Sequence, residues 1–295
     1  MTEIHAFFSS YPAAFPWIAV LFGLAVGSFV NVTIYRFPVM LERQWRNQCH
    51  ELLLNAGQQP PSPPERFDLA VPRSRCPHCG HAIEPLENIP VLSYLWLKGK
   101  CSACKKPISW RYPFVELLAG CLAGLIAWRF GFSMAALAGL VITWSLIALT
   151  FIDIDRQLLP DDITLPLLWA GLLLNVFSVF APLASAVIGA AAGYTSLWAV
   201  YQVFKMITGK EGMGYGDFKL FAVFGAWLGW QNLPLVILLA SFLGAIIGIT
   251  FMLFSGHDRR VPIPFGPFLC VAGWIALMWG DTLTRFYLQF ARISG

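Results

Sequence analysis

The sequence contains few charged residues, and this excludes an ordinary soluble domain. Of its 295 residues, 57% are hydrophobic and only 12% are charged, whereas about 25% of the residues of a soluble domain are charged. Several hydrophobic runs approach the roughly 20 residues that a helix needs to cross a bilayer. These runs are continuous, while a membrane β-barrel needs short strands of alternating polarity. We therefore predict an all-α polytopic membrane protein.

Lysine and arginine are absent from the leading segment Met1 to Tyr11. A secretory signal peptide has a basic start and a small-residue cleavage site, and neither is evident here. We therefore expect the first hydrophobic run, about Phe15 to Tyr35, to be a retained transmembrane helix. Seven further spans make about eight in total, namely Pro113–Phe130, Ala135–Ile154, Leu165–Val179, Leu183–Phe204, Phe218–Trp230, Leu233–Phe254 and Phe265–Trp279.

The basic residues are unevenly distributed, and this predicts an orientation. Eleven of the twenty lysines and arginines lie between Arg36 and Arg111, in the long polar segment. Cytoplasmic loops of membrane proteins carry an excess of these residues. An outside N-terminus makes this segment cytoplasmic, together with Arg156, Lys205, Lys210, Lys219, Arg259 and Arg260. Three basic residues are then left outside, namely Arg129, Arg285 and Arg292. The opposite orientation would reverse this ratio.

Two Cys-x-x-Cys pairs lie in the polar segment. Cys76 and Cys79 form the first pair, Cys101 and Cys104 form the second, and twenty-one residues separate them. This spacing is typical of a four-thiolate zinc site, and a reducing cytoplasm disfavours stable disulfides. A redox dithiol is the alternative, although a thioredoxin-like pattern is missing. We predict a structural zinc ion, because four protein ligands leave no open position for catalysis.

Two aspartates border hydrophobic spans, where a charge is costly and is a functional candidate. Asp153 lies at the end of the third span, and Asp217 opens the sixth after Gly214 and Gly216. Two spans separate the aspartates, so we expect both at the same membrane face. Paired carboxylates can divide the work of an aspartic protease: one donates a hydrogen bond to the substrate carbonyl while the other activates water. The glycines would let an extended substrate backbone approach. Interfacial charges without a function are the alternative.

Three neighbouring acids have structural interpretations. Asp155 next to Arg156 indicates a surface ion pair. Asp161 or Asp162 is expected to cap the N-terminus of the fourth span, because an aspartate there accepts hydrogen bonds from free backbone N–H groups.

Several blocks of the sequence, in order, resemble the type IV prepilin peptidases, also called leader peptidase/N-methyltransferases, an intramembrane GxGD-type aspartic protease family. The matching blocks are Gly27–Pro38, Glu87–Pro90, Arg111–Glu116, Asp153 with Leu159-Pro160-Asp161, and Gly214-Tyr215-Gly216-Asp217. The resemblance implies a bacterial inner-membrane aspartic endopeptidase with Asp153 and Asp217 as its catalytic pair. Such enzymes remove the basic leader from type IV prepilins, or from pseudopilins of type II secretion, after a glycine at the cytoplasmic face.

The resemblance also implies a second activity, N-methylation of the new N-terminal residue with S-adenosylmethionine. A dinucleotide-type G-x-G-x-x-G fingerprint after a strand is missing, so individual ligands of this cofactor are not predicted. The block Gly27–Pro38 and Glu87 are candidates only, and helix packing and loop docking explain them equally well.

The resemblance suggests three domains. These are an N-terminal segment with the first transmembrane helix (1–36), a cytoplasmic, methyltransferase-associated zinc-binding domain (37–111) and a transmembrane peptidase domain (112–295). The expected partners are prepilins or pseudopilins and the lipid bilayer, with no nucleic acid. Three alternatives stay open: a peptidase without methylation, a membrane transporter or channel, and a zinc-bearing scaffold for pilus assembly.

Overall fold

The computed structural model describes residues 7–8, 10–54, 66–254 and 263–290, and the regular elements in these ranges are helical. They are α1 (Ala14–Leu54), α2 (Leu92–Trp96), α3 (Arg111–Phe130), α4 (Met134–Arg156), α5 (Asp161–Val176), α6 (Leu183–Thr208), α7 (Tyr215–Leu228), α8 (Leu233–Phe254) and α9 (Gly266–Phe290). Two short 3₁₀ turns, Pro85–Asn88 and Trp230–Asn232, complete them. The prediction of an all-α membrane protein is confirmed.

A helix lies at each of the eight positions where we predict a span, but the helices differ in length. Within the described residues, six helices are long and apolar enough to cross a membrane. The exceptions are α5, with 16 residues, and α7, with 14. At a rise of about 1.5 Å per residue, both are shorter than a bilayer core of about 30 Å. The number of helices that cross completely therefore stays a prediction.

The first helix is longer than its hydrophobic run, which corrects the predicted end at Tyr35. It has 41 residues and continues to Leu54, with Pro38 inside it. The prediction followed hydropathy, which falls after Tyr35. The helix continues because the following residues, rich in arginine, glutamate, glutamine and leucine, favour helix regardless of their polarity. A helix of this length extends beyond the hydrocarbon layer.

The chain forms two compact units, Met1–Trp128 and Arg129–Gly295. In the first unit, α1 and α3 pack with their backbones almost in contact. A Cβ at Gly23 would lie 2.9 Å from the Cα of Gly120, and one at Gly27 would lie 2.7 Å from the Cα of Glu116. Small residues allow helices in a membrane to approach in this way and gain dispersion contacts. The division into 1–36, 37–111 and 112–295 stays a prediction.

The second unit is built around the short helix α7. From Asp217 to Leu228, every residue of this helix except Lys219 is buried. It packs against α5, α6 and α9, and the glycine-rich face of α6 comes closest. A Cβ at Gly193 would lie 2.8 Å from the carbonyl oxygen of Phe221. A helix that is apolar on all sides is expected to lie inside a bundle.

One buried amide joins the ends of α5 and α7. The Asn175 Nδ2 group donates to the carbonyl oxygens of Ala226 at 2.8 Å and Trp227 at 3.0 Å. Its Oδ1 accepts from the N–H groups of Phe180 and Ala181, both at 3.0 Å. The side chain thereby satisfies free carbonyl groups at the end of α7 and free N–H groups in the loop between α5 and α6, where water has no access.

Replacing this amide should destabilise the fold. We expect Asn175→Ala to lower the free energy of unfolding by about 2–4 kcal/mol, because it leaves buried backbone groups without partners. Thermal unfolding in detergent measures the change. Thr195→Ala is the control, since the Thr195 hydroxyl is exposed and bonds only within its own helix. Equal transitions for both variants would contradict the role given to Asn175.

Candidate active site

Asp153 lies in the last turn of α4 and is only 5% exposed. The helix ends three residues later at Arg156, and the following residue, Gln157, adopts a left-handed conformation with φ 52°. The backbone amide of Gly266, at the start of α9, interacts with the Asp153 carboxylate. A Cβ at position 266 would lie 2.5 Å from the carboxylate oxygen Oδ2. A side chain at position 266 would therefore displace this carboxylate.

Asp217 lies in the first turn of α7 and is 7% exposed. Its Oδ2 accepts a hydrogen bond from the Gly214 N–H at 3.3 Å, and its own N–H donates to the Gly214 carbonyl at 3.2 Å. The carboxylate thus satisfies a free N–H group at the helix start, as a capping side chain does. The local sequence therefore fixes the direction of the Asp217 side chain as well as its depth.

The two carboxylates are neighbours at one end of the second unit. They lie close enough for their charges to interact, and the buried thiol of Cys270 on α9 lies near both. The Leu159 side chain packs against the starts of α7 and α9: a Cβ at Gly216 would lie 2.7 Å from its Cβ, and one at Gly266 would lie 3.1 Å from its Cδ1. This arrangement agrees with the expected shared membrane face, while the catalytic roles stay a prediction.

The two glycines of the Gly-Tyr-Gly-Asp segment differ in their surroundings. Gly216 is in contact with Leu159, so the absence of a side chain is explained by packing inside the protein. Gly214 is exposed, and a Cβ there would meet only Asp217 Oδ2, at 3.7 Å. The sequence predicts that a substrate backbone approaches both glycines, and the exposed Gly214 is the one of the two that leaves room for it.

The capping role predicted for Asp161 or Asp162 is wrong. Pro160 occupies the cap position of α5, and the two aspartates are the first residues of the helix. Both Asp161 carboxylate oxygens lie 2.7 Å from Lys219 Nζ. The pair joins the start of α5 to the start of α7, two residues after Asp217. Lys219 is a further residue of this site beyond those predicted, and its signal in the sequence is its position at the start of a buried helix, where a charge is costly without an acidic partner.

The four predicted cysteine ligands lie together in the first unit. Their sulfur atoms all lie within 4.8 Å of one another, with 3.9 Å between Cys76 and Cys104 and 4.0 Å between Cys79 and Cys101. Zinc–sulfur bonds of about 2.3 Å in a tetrahedron place sulfur atoms about 3.8 Å apart. The donor set and its spacing therefore fit a zinc ion.

The cysteine pairs lie in two similar turns. The N–H of Cys76 donates to the His81 carbonyl, and the N–H of Cys101 donates to the Lys106 carbonyl, both at 2.9 Å. In the first turn, backbone hydrogen bonds, chiefly the one from His78, lower the pKa of the Cys76 thiol to about 6. In the second turn, backbone hydrogen bonds, chiefly the one from Cys104, lower the pKa of the Cys101 thiol. These backbone hydrogen bonds favour the thiolate of Cys76 and of Cys101, which is the form that binds metal ions.

The other candidate residues of the first unit make contacts within that unit, and their role in methyl transfer stays untested. Glu87 Oε2 accepts from the Glu84 N–H at 3.1 Å and lies 3.2 Å from His81 Nε2. The Ser102 hydroxyl, with these two groups, lowers the pKa of Glu87. In the block Gly27–Pro38, the buried Arg36 donates to three loop carbonyls, those of Asp68, Leu69 and Pro72. These contacts agree with the alternative given above for Glu87, in which its side chain docks the loop.

Comparison with known proteins gives the family. The model of the Bacterial Peptidase A24 N-terminal domain matches residues 21–130, and that of the Type IV leader peptidase family matches residues 140–249. A Stutzerimonas stutzeri protein named Prepilin leader peptidase/N-methyltransferase is 54% identical over 294 residues, which are 99% of this chain and 100% of that protein. The chain belongs to the type IV leader peptidase family. The resemblance stated from the sequence blocks is confirmed.

Further members of the family are similar over nearly the same length. The Prepilin leader peptidase/N-methyltransferase of Pseudomonas aeruginosa is 54% identical over 285 residues, 97% of each chain. The protein of this name from Legionella pneumophila is 46% identical over 287 residues, 97% of this chain and 99% of that one. No solved structure matches the chain significantly.

Proposed function

We propose that this protein removes the leader peptide from type IV prepilins or from type II secretion pseudopilins, and then methylates the new N-terminal residue. The observation that carries the peptidase half is the pair of buried, interacting carboxylates at one end of the second unit. Relatives that match almost the whole chain bear the name of both activities, and this favours a bifunctional enzyme over a peptidase alone, a transporter or a scaffold.

Asp153 and Asp217 are the proposed catalytic pair. Two neighbouring carboxyl groups away from water tend to share one proton, because two adjacent negative charges repel. The protonated group donates a hydrogen bond to the carbonyl oxygen of the scissile peptide, and the ionised group takes a proton from the attacking water. The exposed Gly214 offers a route for the extended substrate backbone.

The catalytic end of the second unit is proposed to face the cytoplasm of a bacterial inner membrane. The described basic residues at this end are Arg156, Lys205, Lys210 and Lys219, while Arg129 and Arg285 lie at the other end. Arg259, Arg260 and Arg292, which also entered the prediction, lie outside the described residues. This distribution supports an outside N-terminus and a cytoplasmic polar segment. A basic leader held in the cytoplasm would then reach the aspartates where the pilin helix enters the bilayer.

Two cofactors belong to this proposal. The four cysteines would hold a structural zinc ion, and the geometry leaves no ligand position open for a reactant. S-adenosylmethionine would supply the methyl group. We assign zinc binding and association with methyl transfer to residues 37–111, and the peptidase to residues 112–295.

Removing either catalytic carboxylate should abolish leader cleavage. We expect Asp153→Asn and Asp217→Asn each to lower the cleavage rate of a purified prepilin by at least about 10²–10⁴-fold, because each variant lacks one proton-transfer group. Mass spectrometry of the pilin measures the cut. Asp162→Asn is the matched control, since Asp162 is exposed at the start of α5. Full cleavage by either active-site variant would refute the catalytic pair.

A single methyl group at Gly266 should also impair cleavage. The Cβ of Gly266→Ala would lie 2.5 Å from Asp153 Oδ2 and displace the carboxylate. We expect cleavage to fall by about 10–100-fold, since small misplacements of a reacting group are costly. Gly248→Ala is the control, because a Cβ there meets only Ile263 Cδ1, at 3.8 Å. The placement of Asp153 against α9 is wrong if Gly266→Ala cleaves as well as Gly248→Ala.

Zinc content tests the cysteine site separately. We expect the wild-type protein to contain about one zinc per chain and Cys76→Ser/Cys101→Ser to lose it, because a serine hydroxyl does not replace a thiolate ligand. Elemental analysis of the purified protein measures this. Cys49→Ser, which changes an exposed cysteine on α1, should retain the metal. Well-folded wild-type protein without zinc would remove the claim.

A further inference from the structure

Three separate segments of the first unit meet around one acidic side chain, Glu116 on α3. The Glu116 carboxylate accepts a hydrogen bond from the Val91 N–H at 2.8 Å, and the Ser28 hydroxyl on α1 also interacts with it. Ser28 Oγ lies 3.5 Å from Asn88 Oδ1. Since Asn88 is exposed, this polar cluster of Ser28, Asn88, Val91 and Glu116 reaches the surface.

Among the residues that the structure describes, buried Glu116 has no positive partner. It is 9% exposed, and within the described residues of this unit the only other buried charged side chain is Arg36. Arg36 donates to loop carbonyls and does not contact Glu116. A buried carboxylate with only neutral donors is costly until a cation reaches it. A neutral glutamine would satisfy the same Val91 N–H, so the charge itself needs a separate explanation.

The backbone around Glu116 is held under constraint. Val91 has φ 61° and ψ −47°, a conformation that is rare for a β-branched residue and costs about 1–3 kcal/mol. On the other side, Gly27 of α1 brings backbone against the Cα of Glu116. Both features fix the carboxylate in place, and strained backbone of this kind occurs where a binding group is positioned.

We infer that Glu116 is the anionic binding residue of the methyl-transfer centre, where it faces an organic cation. The inference rests on the proposed function, in which both reactants bring a positive charge: the α-ammonium of the processed pilin and the sulfonium of S-adenosylmethionine. The ammonium first gives a proton to water. The nitrogen lone pair would then form the N–C bond while the C–S bond breaks with its electrons staying on sulfur, so that the positive charge passes from sulfur to the methylated ammonium. A fixed carboxylate stabilises this positive charge.

The test is Glu116→Gln, which removes the charge and keeps an oxygen for the Val91 N–H. We expect the leader to be cut at the wild-type rate while the methylated fraction of pilin falls by about 10²-fold. Mass spectrometry reads both events on one product. The control variant Glu84→Gln, which changes an exposed glutamate seven residues before Val91, should methylate the pilin normally. Zinc content and the unfolding temperature should equal those of the wild type.

Binding measurements identify the cation. Calorimetry compares S-adenosylmethionine with S-adenosylhomocysteine, which lacks the sulfonium charge. If Glu116 faces the sulfonium, the wild type prefers the first ligand and Glu116→Gln loses the preference. If Glu116 faces the amine, Glu116→Gln binds both ligands as the wild type does and instead needs more processed pilin for half-maximal methylation. Either result supports the inference.

Two results would overturn it. One is wild-type methylation by Glu116→Gln. The other is a parallel loss of methylation, zinc and thermal stability, which would make Glu116 a structural anchor. Should Glu116→Gln fold poorly, Glu116→Asp keeps the charge and shortens the reach to Val91. Methylation by Glu116→Asp must then exceed that of Glu116→Gln, and the reverse order counts against the inference. A wild-type protein that neither cuts nor methylates would instead refute the proposed function.

Discussion

The position of the short helix α7 is the constraint on which the candidate active site depends. Asp217 occupies its first turn, and nearly every residue after it is buried against α5, α6 and α9. A shift of α7 along its axis would move the carboxylate and expose apolar side chains at the other end. The Asn175 amide fixes that other end by bonding the carbonyls of Ala226 and Trp227. The depth of Asp217 is therefore set by contacts nine and ten residues further along α7.

Contacts at glycine residues set how closely the helices α6, α7 and α9 approach their neighbours. Along α6 and α7 the backbones approach without intervening side chains at Gly189 and Gly225. The start of α9 reaches the side chain of Asp153 at Gly266. In a lipid environment apolar surface gives little drive for helices to associate, so close dispersion contact has to supply it. The same contacts that hold the bundle together therefore bring two costly carboxyl groups side by side.

Much of this arrangement can be predicted from sequence, and the exceptions have physical causes. The apolar runs give the helix positions, and an even number of spans between Asp153 and Asp217 gives their common face. The end of α1 at Leu54 is missed because helix propensity continues where hydropathy stops. The Asp161–Lys219 pair and the Leu159 contact are missed because both join residues far apart in the chain. Short-range patterns such as capping rules carry no information about partners at that distance.

The two proposed reactions make opposite demands on a carboxyl group, and this explains why each unit has its own. The peptidase pair works only when two acids are close enough for one to hold a proton. The proposed methyl transfer instead uses a single ionised carboxylate, away from other negative charges, that faces the positive charge of a reactant. Glu116 has neutral donors and no acidic neighbour among its described contacts, while Asp153 and Asp217 interact with each other. A single shared carboxylate would have to be protonated for one step and ionised for the next, so separate sites let both reactions proceed at one pH.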